Sequence, residues 1–366
     1  MGAYDLVIIG SGPGGLATGI RAKELGLSHV IIEKGSNICQ GIIDSYPKGK
    51  KVYPAIPKEA AGPFPIQDLE PGHEPVEQYL AKVGACIEKW NVSLRLGEEF
   101  QDVVKEDKAF KVLTDQNQYK TSNVILAFGR NIPVDLGVYG DAKMVARRLA
   151  SPEDHIGAST LVLGGGNAAA DVVAALSSVK RASKDDAPVY WAYRREKFRI
   201  DKEVARDLGE EVLLGGNIRI LQGAIPVIGE VDEDGVDRLL IGVRDIDVDH
   251  GLKLHQGMSF PMKHVIACIG TQGPTAVFDK LGLQLITASE VGGKAGREGS
   301  KLVVLKPWFE TSIPGIYAIG AAISPTYGLV QENATIKRHR HTDVIFTAVK
   351  DGVTVVDHIA RLMSKA

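Results

Sequence analysis

Two glycine-rich turns decide what this chain can fold into. VIIGSGPGGLATG covers residues 7–19, and LVLGGGNAAADVV covers residues 161–173. Each is led into by a strand-like apolar run and followed by a helix-like pattern, so each marks the first half of a βαβ unit. In the first, Gly10, Gly12 and Gly15 give G-x-G-x-x-G. In the second, Gly164, Gly166 and Ala169 give the G-x-G-x-x-A variant. The first Gly permits a tight turn, and the second lets the backbone approach a pyrophosphate. The third small residue lets helix and strand pack closely, while the helix N-terminus faces the phosphate charge. At 366 residues the chain is long enough for two such units with full cores.

The rest of the chain alternates in the same way. Strands are expected at Tyr4–Ile9 and His29–Ile32, with a helix over Leu16–Leu25 between them. Residues 37–75, rich in Pro, Gly and Lys, read as a long ordered loop, a kind of segment that is usually functional. A helix is expected over Glu77–Trp90, and short antiparallel strands over residues 92–126, ending in SNVILAFG. In the second unit, strands at Thr160–Leu163 and Val189–Ala192 flank a helix over Ala168–Val179. A hairpin follows over residues 218–250, turning at Glu233–Gly235, and then a buried strand over His264–Ile269. The late strand Ile316–Ile319, with a final helical stretch to about Lys350, suggests that the C-terminal segment completes the first domain.

The expected fold is α/β: two Rossmann-like, three-layer ββα dinucleotide-binding domains, the second inserted into the first. The boundaries are 1–131 and 256–366 for the outer domain and 132–255 for the insert.

The residues that follow each cradle separate their ligands. The strand after the first ends in IIEKG, so Glu33 can accept hydrogen bonds from a ribose. The strand after the second ends in YRREKFR. Arg194, Arg195 and Arg199 stand where an acid would select NAD, and guanidinium groups there suit the 2′-phosphate of NADPH. Two dinucleotide sites in one chain imply hydride passing between two cofactors, the first site holding a resident acceptor, FAD.

These residues resemble flavoproteins with two dinucleotide-binding domains, in the thioredoxin reductase-like superfamily. The branches most similar are thioredoxin-reductase-like ferredoxin–NADP reductases and bacillithiol disulfide reductase-like proteins. The resemblance covers nearly the whole chain. IGSGPGG matches the FAD cradle, and ILAFGR at Ile125–Arg130 the strand end that carries Gly129. GGGNAAAD and YRREKFR match the NADPH cradle and its HRRxxFR motif, with Tyr193 in place of His. IACIGTQGPT resembles the strand that returns to the FAD domain, and TSIPGIYAIG the closing FAD motif up to Gly320. The resemblance therefore implies FAD contacts at Gly10, Ser11, Gly12, Pro13, Gly14, Gly15, Glu33, Lys34, Gly129, Gly320 and Ala321. It implies NADPH contacts at Gly164, Gly166, Asn167, Ala168, Ala169, Arg194, Arg195 and Arg199, and a homodimer.

Three departures narrow the reading. No Cys lies in residues 131–163, where thioredoxin reductases carry CxxC, so dithiol exchange by that pair is excluded. SYPKGKKVYPAIP is similar to the YPEKxIYDxxGFP stretch of the ferredoxin reductase branch. Ala321 replaces the family's flavin-holding Asp, a feature shared with the bacillithiol branch, along with IIEKG and the Glu332–His339 stretch. The proposed acting Cys of that branch corresponds here to Gly14. Loss of the Asp removes one charge-assisted hydrogen bond, about 1.5–3 kcal/mol, which leaves FAD bound but less tightly.

The chain has three cysteines. Cys39 borders the expected flavin and is the one catalytic candidate; its alternative is a plain loop residue. Cys86 and Cys268 read as core. The basic run Ile336–His341 is expected on a helix, as a docking face for an acidic carrier or as a solvated face. A helix start near Gln331–Asn333 would place its dipole by a reduced flavin. The net charge of −2 brings no global attraction for nucleic acid, and no apolar run approaches membrane-spanning length. No signal peptide is visible at MGAYDLVIIG, so the expected compartment is the cytoplasm. No metal site is expected.

The resulting expectation is an NADPH-dependent FAD oxidoreductase that passes electrons to ferredoxin or flavodoxin. The alternatives are a reductase of a low-molecular-weight thiol disulfide and a non-catalytic nucleotide-binding regulator.

Overall fold

The computed structural model describes residues 3–46, 48–57, 62–107, 109–130, 132–244, 252–291 and 301–365. The chain forms two compact units. One takes Met1–Asp44, Lys48–Ile132 and Gln272–Ala366; the other takes Ser45–Pro47 and Pro133–Thr271. The last stretch of the expected 218–250 hairpin, residues 245–250, and parts of the 37–75 loop lie outside the described residues.

In the first unit, β1 (Tyr4–Ile9) runs into α1 (Pro13–Glu24) and then β2 (His29–Glu33). Both strands are apolar runs buried on both faces, as parallel sheets require. Helix α2 (Val76–Trp90) leads to β3 (Leu94–Leu96), and then the meander β4 (Phe100–Glu106), β5 (Ala109–Thr114) and β6 (Gln118–Leu126) follows. The sheet order is β3-β2-β1-β6-β5-β4. β3, β2, β1 and β6 are mutually parallel, while β4, β5 and β6 are antiparallel.

The second unit repeats the beginning of the first. β7 (Thr160–Leu163), α3 (Asn167–Ala182) and β8 (Val189–Tyr193) lead through α4 (Lys202–Leu213) to β9 (Ile218–Gln222). An antiparallel sheet, β10 (Ala224–Val231), β11 (Asp237–Arg244) and β12 (Leu252–Pro261), precedes β13 (Val265–Ala267). β13 closes the parallel sheet β9-β8-β7-β13. That pairing corrects the expected junction at 255/256. β12 and β13 belong to the inserted unit's sheets, so the junction falls after Thr271.

The chain then re-enters the first unit. β14 (Leu285–Thr287) and β15 (Lys301–Leu305) come before β16 (Ile316–Ala318), which adds to β6 in parallel register, Val124 opposite Ile316. β17 (Thr326–Val330) and β18 (Ile336–Arg340) form an antiparallel hairpin in a sheet ordered β14-β15-β17-β18. α5 (Ile345–Met363) ends the fold against α1. A Cβ on Gly352 would come within 2.6 Å of the Gly14 carbonyl oxygen, so the two helices meet backbone to backbone.

Two expectations fail here. The basic run at 336–340 is strand β18, because each of its residues pairs with β17. Gln331–Asn333 lies in the turn of that hairpin and starts no helix; the Gln331 N–H donates to the Thr335 carbonyl across it. The final helix starts at Ile345.

Candidate functional site

The parallel strands β1, β2, β6 and β16 point the same way, so their C-terminal ends open on one edge. That edge carries Gly10, Glu33, Ala127–Gly129 and Gly320 together, the place where open α/β sheets bind ligands. Gly10 has φ +105, and a Cβ there would sit 2.4 Å from the Ala127 carbonyl oxygen. A Cβ on Gly15 would sit 1.9 Å from the Gly10 carbonyl oxygen, so α1 rests directly on the turn. Gly12 differs: it is the N-cap of α1, and nothing lies within 4 Å of where its Cβ would be. Open space therefore meets the uncapped start of a twelve-residue helix, with Pro13 at its first position.

Glu33 is tied into this turn. One carboxylate oxygen accepts from both the N–H and the hydroxyl of Ser11, each at 2.8 Å, and the other accepts from the Gly35 N–H at 2.8 Å. Ser11 is fully buried and Glu33 is 9% exposed. A carboxylate offers about four acceptor positions, so roughly one remains for a ligand hydroxyl. Lys34 is exposed. The Ser11–Glu33 link has no spacing signature in sequence.

Cys39 does not behave as the catalytic candidate requires. It is 1% exposed, its N–H and Sγ–H both donate to the Ser11 carbonyl, and burial aided by the Glu33 charge pushes the thiol up to about 12. That burial disfavours the thiolate a nucleophile needs, and Cys39 bonds the Ser11 turn instead. Gly14 also leaves little space for a side chain, since a Cβ there would lie 3.1 Å from the Ala348 carbonyl oxygen. Cys86 is buried as expected, but Cys268 is only half-buried.

At the closing turn, Gly320 has φ +66 and Ala321 follows it half-buried. The Gly320 N–H donates at 2.9 Å to Oδ2 of Asp351, on α5. The same oxygen lies 2.9 Å from His341 Nε2, and His341 Nδ1 lies 2.6 Å from Ser324 Oγ. Ser324, His341 and Asp351 are all buried. Burial pushes the Asp351 carboxyl up, against the hydrogen bond and charge of His341. One arrangement satisfies these contacts: His341 donates from Nε2 to Asp351 and accepts the Ser324 hydroxyl at Nδ1. Sequence reading missed Ser324 and Asp351, and it placed His341 in the exposed basic run, whereas His341 is buried just past the end of β18. Asp351 reaches the turn from 31 positions away, on another element, and no motif marks that.

The second cradle has the same build. Gly164 has φ +139, with the Cys268 carbonyl oxygen 2.3 Å from where a Cβ would stand. Gly166 is the N-cap of α3, and the atom nearest to a Cβ placed on it is the Arg199 carbonyl oxygen at 3.9 Å. Ala169 is fully buried and Ala168 exposed. The Asn167 side chain is committed elsewhere: its Nδ2 donates to Asp201 Oδ2 at 2.6 Å, and its Oδ1 accepts from the Asp201 N–H at 2.9 Å. Arg194, Arg195 and Arg199 are exposed on the loop after β8. The Arg199 N–H donates to the Gly165 carbonyl at 2.6 Å, which folds that loop onto the cradle. Phe198 packs between Trp191 and Tyr193, at ring-centre distances of 4.1 and 5.2 Å, and fixes the loop from beneath. Among the described residues no cluster of metal-binding ligands occurs, and no helix is long and apolar enough to cross a membrane.

Two glycine cradles on two parallel sheets, one unit inserted in the other, define the two-domain α/β fold of thioredoxin reductase-like flavoproteins. The family model for pyridine nucleotide-disulphide oxidoreductases matches residues 7–213, and the chain belongs to that family. A ferredoxin–NADP reductase of Streptococcus thermophilus is 25% identical over 327 residues, covering 87% of this chain and 85% of that protein. One of Rickettsia prowazekii is 30% identical over 228 residues, covering 60% of this chain and 61% of that protein's length. The bacillithiol disulfide reductase of Staphylococcus aureus shares the fold with a TM-score of 0.75, at 21% identity and full coverage of both chains.

Proposed function

We propose that this oxidoreductase uses NADPH and FAD and passes electrons to a ferredoxin-type carrier protein. The observation that carries the reading is the pair of open cradles. At Gly12 and at Gly166, a helix start without a side-chain cap faces space that any Cβ would begin to fill. In this reading Gly10, Ser11, Gly12, Pro13, Gly14, Gly15 and Glu33 hold the FAD pyrophosphate and ribose, with Lys34 at the rim. Gly129, Gly320 and Ala321 border the rest of that cofactor. Gly164, Gly166, Ala168, Ala169 and the backbone of Asn167 hold the NADPH pyrophosphate, and Arg194, Arg195 and Arg199 receive its 2′-phosphate.

FAD supplies the exchange between two-electron and one-electron chemistry that no side chain offers. The work left to the chain is positioning and field. The α1 N-terminus favours the negative pyrophosphate. Ser11 and Gly35 keep Glu33 aimed, and Asp351 fixes the Gly320 turn. This reading requires no thiol: Cys39 is enclosed, where burial disfavours its thiolate, and Gly14 carries no side chain. The names of the curated relatives support ferredoxin as the acceptor. A homodimer and a cytoplasmic setting belong to the same reading.

The visible spectrum of the purified protein, before and after NADPH, tests it. The expected outcome is a flavin band bleached by NADPH at far lower concentration than by NADH. Ferredoxin should then be reduced by both the wild type and Cys39→Ser. A band that NADPH leaves unchanged would overturn the reading. Rapid reduction of a small disulfide, lost in Cys39→Ser and without ferredoxin reduction, would replace it with the thiol–disulfide alternative.

A further inference from the structure

The basic run at β18 gains a definite shape from the fold. β18 is the outermost strand of its sheet, paired with β17 on one side and with no strand on the other among the described residues. Lys337, Arg338, His339 and Arg340 are all exposed, so the strand stands off the core on both faces. Strand alternation puts Arg338 and Arg340 on one face. There they line a pocket of about 400 Å³ with Pro325 and Thr326. No carboxylate forms an ion pair with Lys337, Arg338 or Arg340 among the described residues. The nearby Asp343 is engaged by Arg130 at 3.2 Å.

The strand is also held rigidly. Its partner β17 is buried at Tyr327 and Gly328, and the Tyr327 ring contacts His339 at 5.1 Å. At the base of the hairpin the His341 N–H donates to the Pro325 carbonyl, and the Ser324–His341 bond joins the two legs. Asp351 then links His341 to Gly320. The exposed basic strand is therefore one residue and two hydrogen bonds from the turn that closes the candidate FAD site.

We propose that the outer edge of β18, with Lys337, Arg338 and Arg340, is the docking surface for an acidic one-electron carrier protein. The inference rests on the function proposed above and names where its partner binds. Charge complementarity carries it. The chain as a whole has net charge −2 and would repel an acidic protein weakly, so attraction needs a local patch of opposite sign. Stoichiometry favours a surface of this kind. One NADPH yields NADP⁺, one proton and two electrons, and a one-electron carrier takes one of them. Two oxidised carriers must therefore be reduced for each NADPH, and the first must leave before the second can dock. Exposed, unburied charges give fast association and fast release, which a large apolar interface does not. A charged edge strand also protects against strand addition by another chain, and that role alone would leave carrier binding indifferent to the charges.

The test is a titration of the holoenzyme with an oxidised, acidic [4Fe–4S] ferredoxin at low and high salt. It pairs with steady-state reduction of the same ferredoxin and of a neutral quinone. For Lys337→Glu/Arg338→Glu/Arg340→Glu we expect binding roughly tenfold or more weaker at low salt, and a flattened salt dependence. Quinone reduction should stay within about twofold, because a neutral acceptor needs no steering. Arg338→Gln/Arg340→Gln should give the same effect at smaller size, with no charge reversal to perturb folding. Unchanged ferredoxin binding and salt dependence in both variants would overturn the docking surface and leave the ferredoxin function standing. A wild type that neither binds nor reduces ferredoxin while it reduces quinone would overturn both.

Discussion

Ala321 and Asp351 together change what the loss of the family's Asp means. A carboxylate is still at the turn, but it comes from α5 and bonds the Gly320 N–H from within the protein. Truncation shows its weight. Asp351→Ala would leave two buried donors, the Gly320 N–H and His341 Nε2–H, without an acceptor. At about 1–3 kcal/mol for each, the expected loss is roughly 2–6 kcal/mol in denaturant unfolding. Asp351→Asn keeps an acceptor oxygen and should cost less than half of that. The pair also has a pH signature. Burial raises Asp351 above its ordinary 3.8, so the native state holds this proton more tightly than the unfolded chain. Stability from this group is then greatest at low pH, and it declines as pH rises from 3.8 toward the raised native value. The stability of wild type relative to Asp351→Asn should therefore fall as pH rises above 3.8. A difference that rises over that range would show that Asp351 is held as a favoured anion instead.

At the scale of the element, the strand-turn-helix unit separates glycines that serve the fold from those that serve a ligand. Gly15→Ala drives a methyl to 1.9 Å from the Gly10 carbonyl oxygen, a backbone atom that cannot swing away. It should cost about 3 kcal/mol in the apoprotein. Gly12→Ala meets nothing within 4 Å, and its φ of −68 suits any residue. The apoprotein should keep its stability within about 1 kcal/mol, while flavin absorbance per mole of protein falls sharply. Equal stability losses in the two variants would contradict the division. Such units were legible in sequence because their constraints are local: a few consecutive residues set the turn, and periodicity sets what flanks it. The β17–β18 hairpin was not legible. Lys and Arg lean IKRHRH toward helix, and pairing with β17 overrides that preference. Asp351 was hidden for the same reason, since a contact across elements leaves no pattern along the chain. Glu33 was read as a ribose acid, and the three donors it already holds could come only from the folded turn.

Across the whole molecule, the order of the chain and the order of its cores differ, and this has a consequence for folding. One core of the outer unit joins Val7, Ile9, Val124 and Leu126 from the first leg to Val303, Leu305, Ile316 and Tyr327 from the last. The inserted unit's two clusters, by contrast, draw on residues from Leu136 to Ile269 only. Apart from the short stretch Ser45–Pro47, the insert is thus continuous in sequence, while the outer unit must wait for its C-terminal leg before β6 gains its neighbour β16 and α1 its partner α5. The fragment 133–271 expressed alone should melt in a single cooperative transition and bind NADPH in preference to NADH. The fragment 1–132 should show no such transition, because Val124 and Leu126, fully buried in the intact chain, would face water on the side that β16 covers. Supplying residues 272–366 on a separate chain should restore cooperativity to the first leg. A cooperative melt of 1–132 on its own would show that the first leg needs no closing strand, and that the long-range pairing forms after the unit has folded.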